Sequence, residues 1–304
     1  MNLENIIRVT SNKLRKIGID PYDLLMISPY NLLDSLYTPT DRQRIRRTKN
    51  IRFIPNANNR RGGKYSYAEW AHVIGIFQTL MFLHLEKKEN NTILDIGCGS
   101  GLLAMSSEPF LGKDGKYTGI DVNKKDITFC QRHYLSPNFE FIHFDVANAT
   151  YAPTQKDIKA KWPIESESFD LTTALSVWTH LKEEDALFYF QEISRVLKPN
   201  GKAIITFFLL DETYRNGLET RSNQKGRFHM TSQERWIFAR PSYGSNMWFH
   251  PQWVQVPEDA IGVNKTGLDL LCRSSEMKLI KHYQGNWKEV PGVFFQDVLI
   301  FQKS

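Results

Sequence analysis

The chain has 304 residues, 41% of them hydrophobic and 24% charged, and a formal net charge of +6. Those proportions fit a globular protein with one large domain, or one core with insertions, and exclude disordered and collagen-like chains. No apolar run approaches the roughly 20 residues that span a bilayer, residues 1–5 lack the basic start of a signal peptide, and Cys98, Cys130 and Cys272 form neither a disulfide framework nor a zinc spacing, so a cytoplasmic, reducing setting is expected.

Residues 1–90 form a helical N-terminal extension ahead of the first core strand. Pro21 and Pro29 break residues 14–36 into short helices, and residues 56–64 read as a polar loop. Residues 66–86 then read as a helix, because Trp70, Val73, Ile74, Phe77, Leu80, Met81 and Leu85 recur at helical spacing. Arg42, Arg44, Arg46, Arg47, Lys49, Arg52, Arg60, Arg61 and Lys64 crowd this extension, with Asp41 nearly alone against them. Such a cluster suits a nucleic acid, an anionic sugar, a lipid head group or a membrane surface, or is simply a solvated basic face.

From residue 92 strands and helices alternate, which implies a parallel sheet covered on both faces. Strands are expected over 92–96, 117–121, 139–144, 169–175 and 202–209, with helices over 102–107, 124–134 and 183–197. Pro199-Asn200-Gly201 turns the last helix into its strand. Residues 211–265 interrupt the pattern with an insertion rich in aromatic residues, among them Tyr214, Phe228, Trp236, Phe238, Tyr243, Trp248, Phe249 and Trp253. Residues 278–283 and 294–302 read as a closing antiparallel pair.

The most informative run is Ile93-Leu94-Asp95-Ile96-Gly97-Cys98-Gly99-Ser100-Gly101, followed by Tyr117-Thr118-Gly119-Ile120-Asp121. An apolar strand ends in a carboxylate, a glycine-rich turn opens a helix, and the next strand also ends in a carboxylate. In a doubly wound sheet that is where a nucleoside-bearing ligand sits. Asp121 is placed to hydrogen-bond both hydroxyls of a ribose. A dinucleotide fingerprint would read G-x-G-x-x-G; the spacing here is G-x-G-x-G, and Asp95 just before it would repel a pyrophosphate and favour a cationic ligand.

With these residues the chain resembles the class I S-adenosylmethionine-dependent methyltransferases over roughly residues 90–210 and 258–303. Phe141-Ile142-His143-Phe144-Asp145-Val146 resembles that family's third strand, whose acidic end lies by the adenine ring. Ser176-Val177-Trp178-Thr179-His180-Leu181 is similar to its segment after strand four, and Glu192–Gly201 to its helix-to-strand junction. The resemblance implies an α/β, Rossmann-like doubly wound sheet of seven strands, mostly parallel with the last antiparallel, over residues 91–304. It implies S-adenosylmethionine as cofactor, held by Asp95, Gly97, Cys98, Gly99, Gly101, Asp121, Val122, Asp145, Val146 and Ser176. A narrower resemblance, to a bacterial subgroup associated with glycans or other small polar acceptors, rests on residues 204–210, 257–260, 285–287 and 295–300.

A hydroxyl acceptor gains from a general base. His180, at the carboxyl edge of the sheet, is the expected base, although a histidine there also caps helices or packs on the core. Asp211 is expected to orient an acceptor hydroxyl, or else to be a turn residue; His229 and His250 are weaker candidates. The aromatic insertion makes either an acceptor wall or a cluster that holds itself together. The N-terminal segment is read as a lid, with Arg60, Arg61 or Tyr65 near the cofactor's methionine carboxylate. No metal is expected, since Asp145, Asp170 and Asp211 show no compact ligand spacing. The leading expectation is O-methylation of a small polar acceptor or glycan. An RNA or DNA methyltransferase, a non-enzymatic cofactor binder and an NAD-linked dehydrogenase remain as alternatives.

Overall fold

A computed structural model describes residues 29–61, 65–146 and 159–304. The first part of the expected 14–36 helical region and Lys64 lie outside the described residues. Two compact units are distinguished, residues 1–71 and 72–304. This division falls earlier than the expected one at residue 90, inside a helix.

In the first unit, helix α1 (Pro29–Arg44) is followed by short turns at Asn50–Phe53 and Ala57–Asn59. A buried ion pair ties these pieces together. Arg60 donates from Nη1 to Asp34 Oδ1 at 2.9 Å, from Nε to the Pro55 carbonyl and from Nη1 to the Tyr65 carbonyl. Asp34 Oδ2 also accepts from the Ala57 N–H. Helix α2 (Tyr67–His84) runs across the division between the units. Its last turns join the sheet domain, where Ser106 and Ser107 hydroxyls donate to the Ile74 carbonyl and the Met81 sulfur.

In the second unit, β1 (Thr92–Ile96), α3 (Leu102–Ser107), β2 (Lys116–Asp121), α4 (Lys124–His133) and β3 (Phe139–His143) alternate as the sequence pattern requires. They are followed by β4 (Phe169–Ala174), α5 (Glu183–Val196) and β5 (Leu197–Leu210). Strands β3-β2-β1-β4-β5 lie side by side, all parallel. The chain therefore builds outward from β1 to β3 and returns on the other side of β1 with β4. The carboxyl ends of β1 and β4 thus face the crevice where such sheets bind ligands. Buried side chains on both faces, from Leu94 and Ile120 to Phe190 and Phe301, make the core.

Beyond β5 the sheet differs from the expected seven strands: ten are present among the described residues. The closing pair is as expected, with β10 (Asp297–Lys303) antiparallel to both β5 and β9 (Met277–Tyr283). The extra three come from the insertion: β6 (Arg240–Pro241), β7 (Trp248–His250) and β8 (Gly262–Asn264). Strand β8 pairs in parallel with residues 208–210, the far end of β5, so β5 is long enough to serve two partners. The all-apolar end Phe207-Phe208-Leu209-Leu210 supports this, because both its faces are buried. Asn264 then caps helix α7 (Lys265–Ser275) by accepting from the Gly267 N–H.

Candidate functional site

The loop after β1 is shaped by left-handed glycines: Gly97, Gly99 and Gly101 have φ of 67°, 51° and 86°. At two of them a side chain has no room. A Cβ on Gly97 would lie 2.6 Å from Val177 Cγ2, and one on Gly101 would lie 2.5 Å from the Tyr134 ring. The Gly97 contact brings the segment after β4 against the loop after β1, so the predicted cofactor loop and the predicted catalytic segment touch.

Asp121 closes the loop. Its Oδ2 accepts from the Gly99 N–H and its Oδ1 from the Asn123 N–H, each at 2.7 Å. A carboxylate has about four lone-pair sites, so further acceptor capacity remains for a diol. Burial pushes Asp121 up to about 6. Asp95 lies beneath the loop rather than lining it: it is 1% exposed, accepting from Tyr117 Oη at 2.6 Å and Thr173 Oγ1 at 2.8 Å. Burial pushes its carboxyl up to about 7, with the charge of Asp121 adding to the rise. The Ser100 hydroxyl is buried in the same loop with no partner among the described residues. Two raised carboxyls, one of them with acceptor capacity left for a diol, and a cradle open only to glycine fit a cationic nucleoside ligand. The remaining cofactor candidates surround this loop unevenly. Cys98 is buried, its thiol pushed well above the usual range by burial. Val122 and Val146 pack into the core, and Asp145 is exposed.

Across from the loop, Ser176 follows β4 with a left-handed φ of 62°. Its N–H donates to Thr206 Oγ1 at 2.7 Å, and its Oγ accepts from Gln296 Nε2 at 3.0 Å. Gln296 is 6% exposed, and its Oε1 has no partner among the described residues. Half-buried His180 follows on a short turn, Trp178–His180. Its Nδ1 lies 2.6 Å from the Glu258 carbonyl oxygen. A carbonyl only accepts, so Nδ1 carries the proton and Nε2 is the basic atom of the neutral ring. Burial lowers the His180 pKa, which keeps that ring neutral. Tyr243 reinforces the arrangement: its hydroxyl lies 2.8 Å from both carboxylate oxygens of Glu258, from a backbone φ of 51°.

Asp211 stands at the end of β5, where it caps helix α6 (Glu212–Asn216) through the Tyr214 N–H. Its Oδ2 accepts from Lys288 Nζ at 2.8 Å and from Gln284 Nε2. Lys288 is fully buried and also donates to Asp297 Oδ1 at 2.8 Å. Asp297 further accepts from His282, Trp287 and two backbone N–H groups. Burial alone would raise Asp297, yet His282 and Lys288 hold it below the usual carboxylate range. Asp211, His282 and Asp297 are close enough to hold a metal ion, but the Lys288 ammonium already bridges the two carboxylates. Asp170 does not join them. It sits at the opposite, amino edge of β4, bound by Thr92 and Lys198.

The aromatic rings of the insertion turn on each other. Phe208 packs against Trp236, Phe238, Trp287 and Phe295 at centroid distances of 5.1 to 6.0 Å. Trp236 and Phe238 thus belong to a self-supporting cluster, whereas Tyr243 is exposed. His229 is engaged by Glu289 and Thr231, and His250 by Ser242. Arg60 is spent on Asp34 within its own unit. Residue types alone point to no individual role for Glu258, Gln296, Lys288 or Tyr117, although Glu258 and Gln296 lie in segments that carry a resemblance, Tyr117 lies in the run ending at Asp121, and Tyr243 is among the aromatic residues of the insertion.

Residues 94–205 match the family described as a methyltransferase domain. Arsenite methyltransferase of Mus musculus is 31% identical over 117 residues, 38% of this chain and 30% of that protein. Ubiquinone biosynthesis O-methyltransferase of Hydrogenovibrio crunogenus is 24% identical over 147 residues, 48% of this chain and 54% of that protein. The match thus spans only about a third to a half of these relatives. Among solved structures, the PH0226 protein of Pyrococcus horikoshii superposes with a TM-score of 0.50 at 19% identity, covering 78% of this chain and 92% of its own; that likeness speaks to fold.

Residues 94–205 are thus similar to a methyltransferase domain, the fold is Rossmann-like, and the loop after β1 fits a cationic nucleoside ligand such as S-adenosylmethionine. Among the described residues no helix is long and apolar enough to cross a membrane.

Proposed function

We propose that this chain is an S-adenosylmethionine-dependent methyltransferase that methylates a hydroxyl of a small polar acceptor or glycan. The Gly97–Gly101 loop and Asp121 hold the cofactor, and Asp95 biases the loop toward its cation. The observation that carries the oxygen reading is the fixed tautomer of His180, whose Nδ1–H is committed to the Glu258 carbonyl.

When bound, the cofactor supplies a methyl group made electrophilic by its sulfonium. The chain's own work is positioning and proton removal. With the cofactor held in the loop, His180 Nε2 would take the hydroxyl proton of an acceptor, and the bound cofactor would supply the methyl group. Such a base contributes about 10²–10⁴-fold, and orientation contributes more. Gln296 Oε1 supplies a buried hydrogen-bond acceptor for a second donor on the substrate. Both relatives named above carry small molecules in their names, which supports this substrate class.

Methyl-labelled S-adenosylmethionine incubated with the protein and fractionated cell extract tests the reading. Label in a nuclease-resistant small-molecule or glycan fraction, lost with His180→Ala, supports it. Label released into nucleotides by RNase or DNase contradicts it.

A further inference from the structure

The first unit carries an exposed surface of mixed apolar and basic character. On α1 the inward face is polar: Asp34 and Thr38 are buried, and Asp34 pairs with Arg60. The outward face is apolar: Leu32, Leu33, Leu36 and Tyr37 are 69%, 51%, 64% and 64% exposed. Leu33, Tyr37, Thr40 and Arg44 follow one another at helical spacing, so a single stripe begins apolar and ends cationic. The charge continues into Arg46, Arg47, Lys49 and Arg52, all exposed. Against them, residues 29–61 contain two acids, and Asp34 is neutralised by buried Arg60, which leaves Asp41. Arg44, Arg47 and Arg52 make no ion pair among the described residues.

Apolar and cationic groups in one continuous stripe select among partners. A nucleic acid would satisfy the arginines and leave four large apolar side chains in water. An anionic bilayer satisfies both. Its phosphates take the guanidinium groups, the leucines enter the boundary of the acyl chains, and a tyrosine ring suits the interface. We propose that α1 and the basic segment after it dock this protein on anionic lipid bilayers, as a peripheral surface contact and not a span.

The test is co-sedimentation of the full chain with vesicles of phosphatidylcholine alone and of equal parts phosphatidylcholine and phosphatidylglycerol. The docking predicts binding to the anionic vesicles at least about tenfold tighter than to the neutral ones, weakening as salt shortens the Debye length. Each lost cation should cost about fivefold in partitioning. Arg44→Glu/Arg47→Glu and Leu33→Ser/Leu36→Ser should each lose at least about tenfold, with S-adenosylmethionine affinity and circular dichroism unchanged. All four residues are exposed, so these variants should fold. Absent binding to anionic vesicles, or binding insensitive to the leucine pair, would overturn the proposal. Duplex DNA or RNA binding that is lost with the arginine pair, in place of vesicle binding, would assign the surface to nucleic acid and overturn it equally. Cofactor binding is read separately, so failure of the catalytic proposal would not be mistaken for failure of docking.

Discussion

The Gly99 N–H donates to Asp121 Oδ2 over 2.7 Å, so the glycine loop after β1 is latched to the carboxylate that ends β2. One side chain thereby fixes the loop and presents the oxygens that would meet a ribose. Beneath it Asp95 has no exposed surface to share its charge with water, and both carboxyls are raised. The ligand-free site therefore holds strained acidity that a bound cation would relieve.

Cofactor affinity should depend on pH through this pair. Below about 7 Asp95 takes up a proton that a cationic ligand must expel. Affinity should fall as pH drops through 7 and 6, with a slope of up to about tenfold per unit. Stability of the free protein runs the other way. A carboxyl raised on folding stabilises fully below its unfolded value, and that contribution is lost as pH rises through about 7. Asp95→Asn should raise the melting temperature of the free protein at pH 8, by an amount equivalent to at most about 4 kcal/mol, while weakening S-adenosylmethionine binding. Calorimetry on both proteins checks the two signs together.

Gly97→Ala should weaken cofactor binding at least about tenfold, since its Cβ would strike Val177 Cγ2 and its φ of 67° disfavours any side chain. Adding Val177→Ala should restore part of the affinity by removing the clash and not the backbone strain. Equal affinities for the single and double variants would mean that the contact between the two segments does not shape the loop.

His180→Ala should lower turnover by about 10²–10⁴-fold and change cofactor affinity by less than about threefold. Because burial lowers the His180 pKa, the acid limb of the rate profile should fall below pH 6.5, with activity rising as the ring becomes neutral. Tyr243→Phe frees Glu258 and loosens the carbonyl that orients the ring. It should reduce turnover less than His180→Ala and shift that acid limb, which a purely structural role would leave in place.

Lys288→Met should destabilise the protein by about 3–5 kcal/mol, because it leaves Asp297 buried beside a lost cation. Asp211→Asn keeps a capping oxygen and removes one charge from the same network, so its loss of stability should be smaller. Urea titrations of the two variants measure both. If Asp211→Asn instead abolished turnover at unchanged stability, its carboxylate would belong to the chemistry.

Much of this was legible in the sequence because the governing interactions are local. The 102–107 helix has the expected limits, and β1 likewise covers residues 92–96, set by apolar runs between a turn and a glycine loop. The same holds for Asp121, whose place at a strand end decides what it can reach. What stayed hidden depends on pairing across long stretches of chain. The hold on His180 comes from a backbone carbonyl 78 residues away, and backbone atoms leave no trace in residue types. Lys288 reads as a surface lysine until β5 and β10 bring Asp211 and Asp297 around it. The insertion strands β6 to β8 are two or three residues long, too short to show a period of two.

The central claim, that the edge formed by Gly97–Gly101 and Asp121 binds S-adenosylmethionine, is tested most directly by isothermal titration of that cofactor into the wild-type chain and Asp121→Ala. The account predicts saturable one-site binding by the wild type and a loss of at least about tenfold in the variant, since hydrogen bonds to a charged group are worth about 1.5–3 kcal/mol each. Wild-type binding that survives Asp121→Ala unchanged, or no binding by the wild type at pH 8, would contradict it.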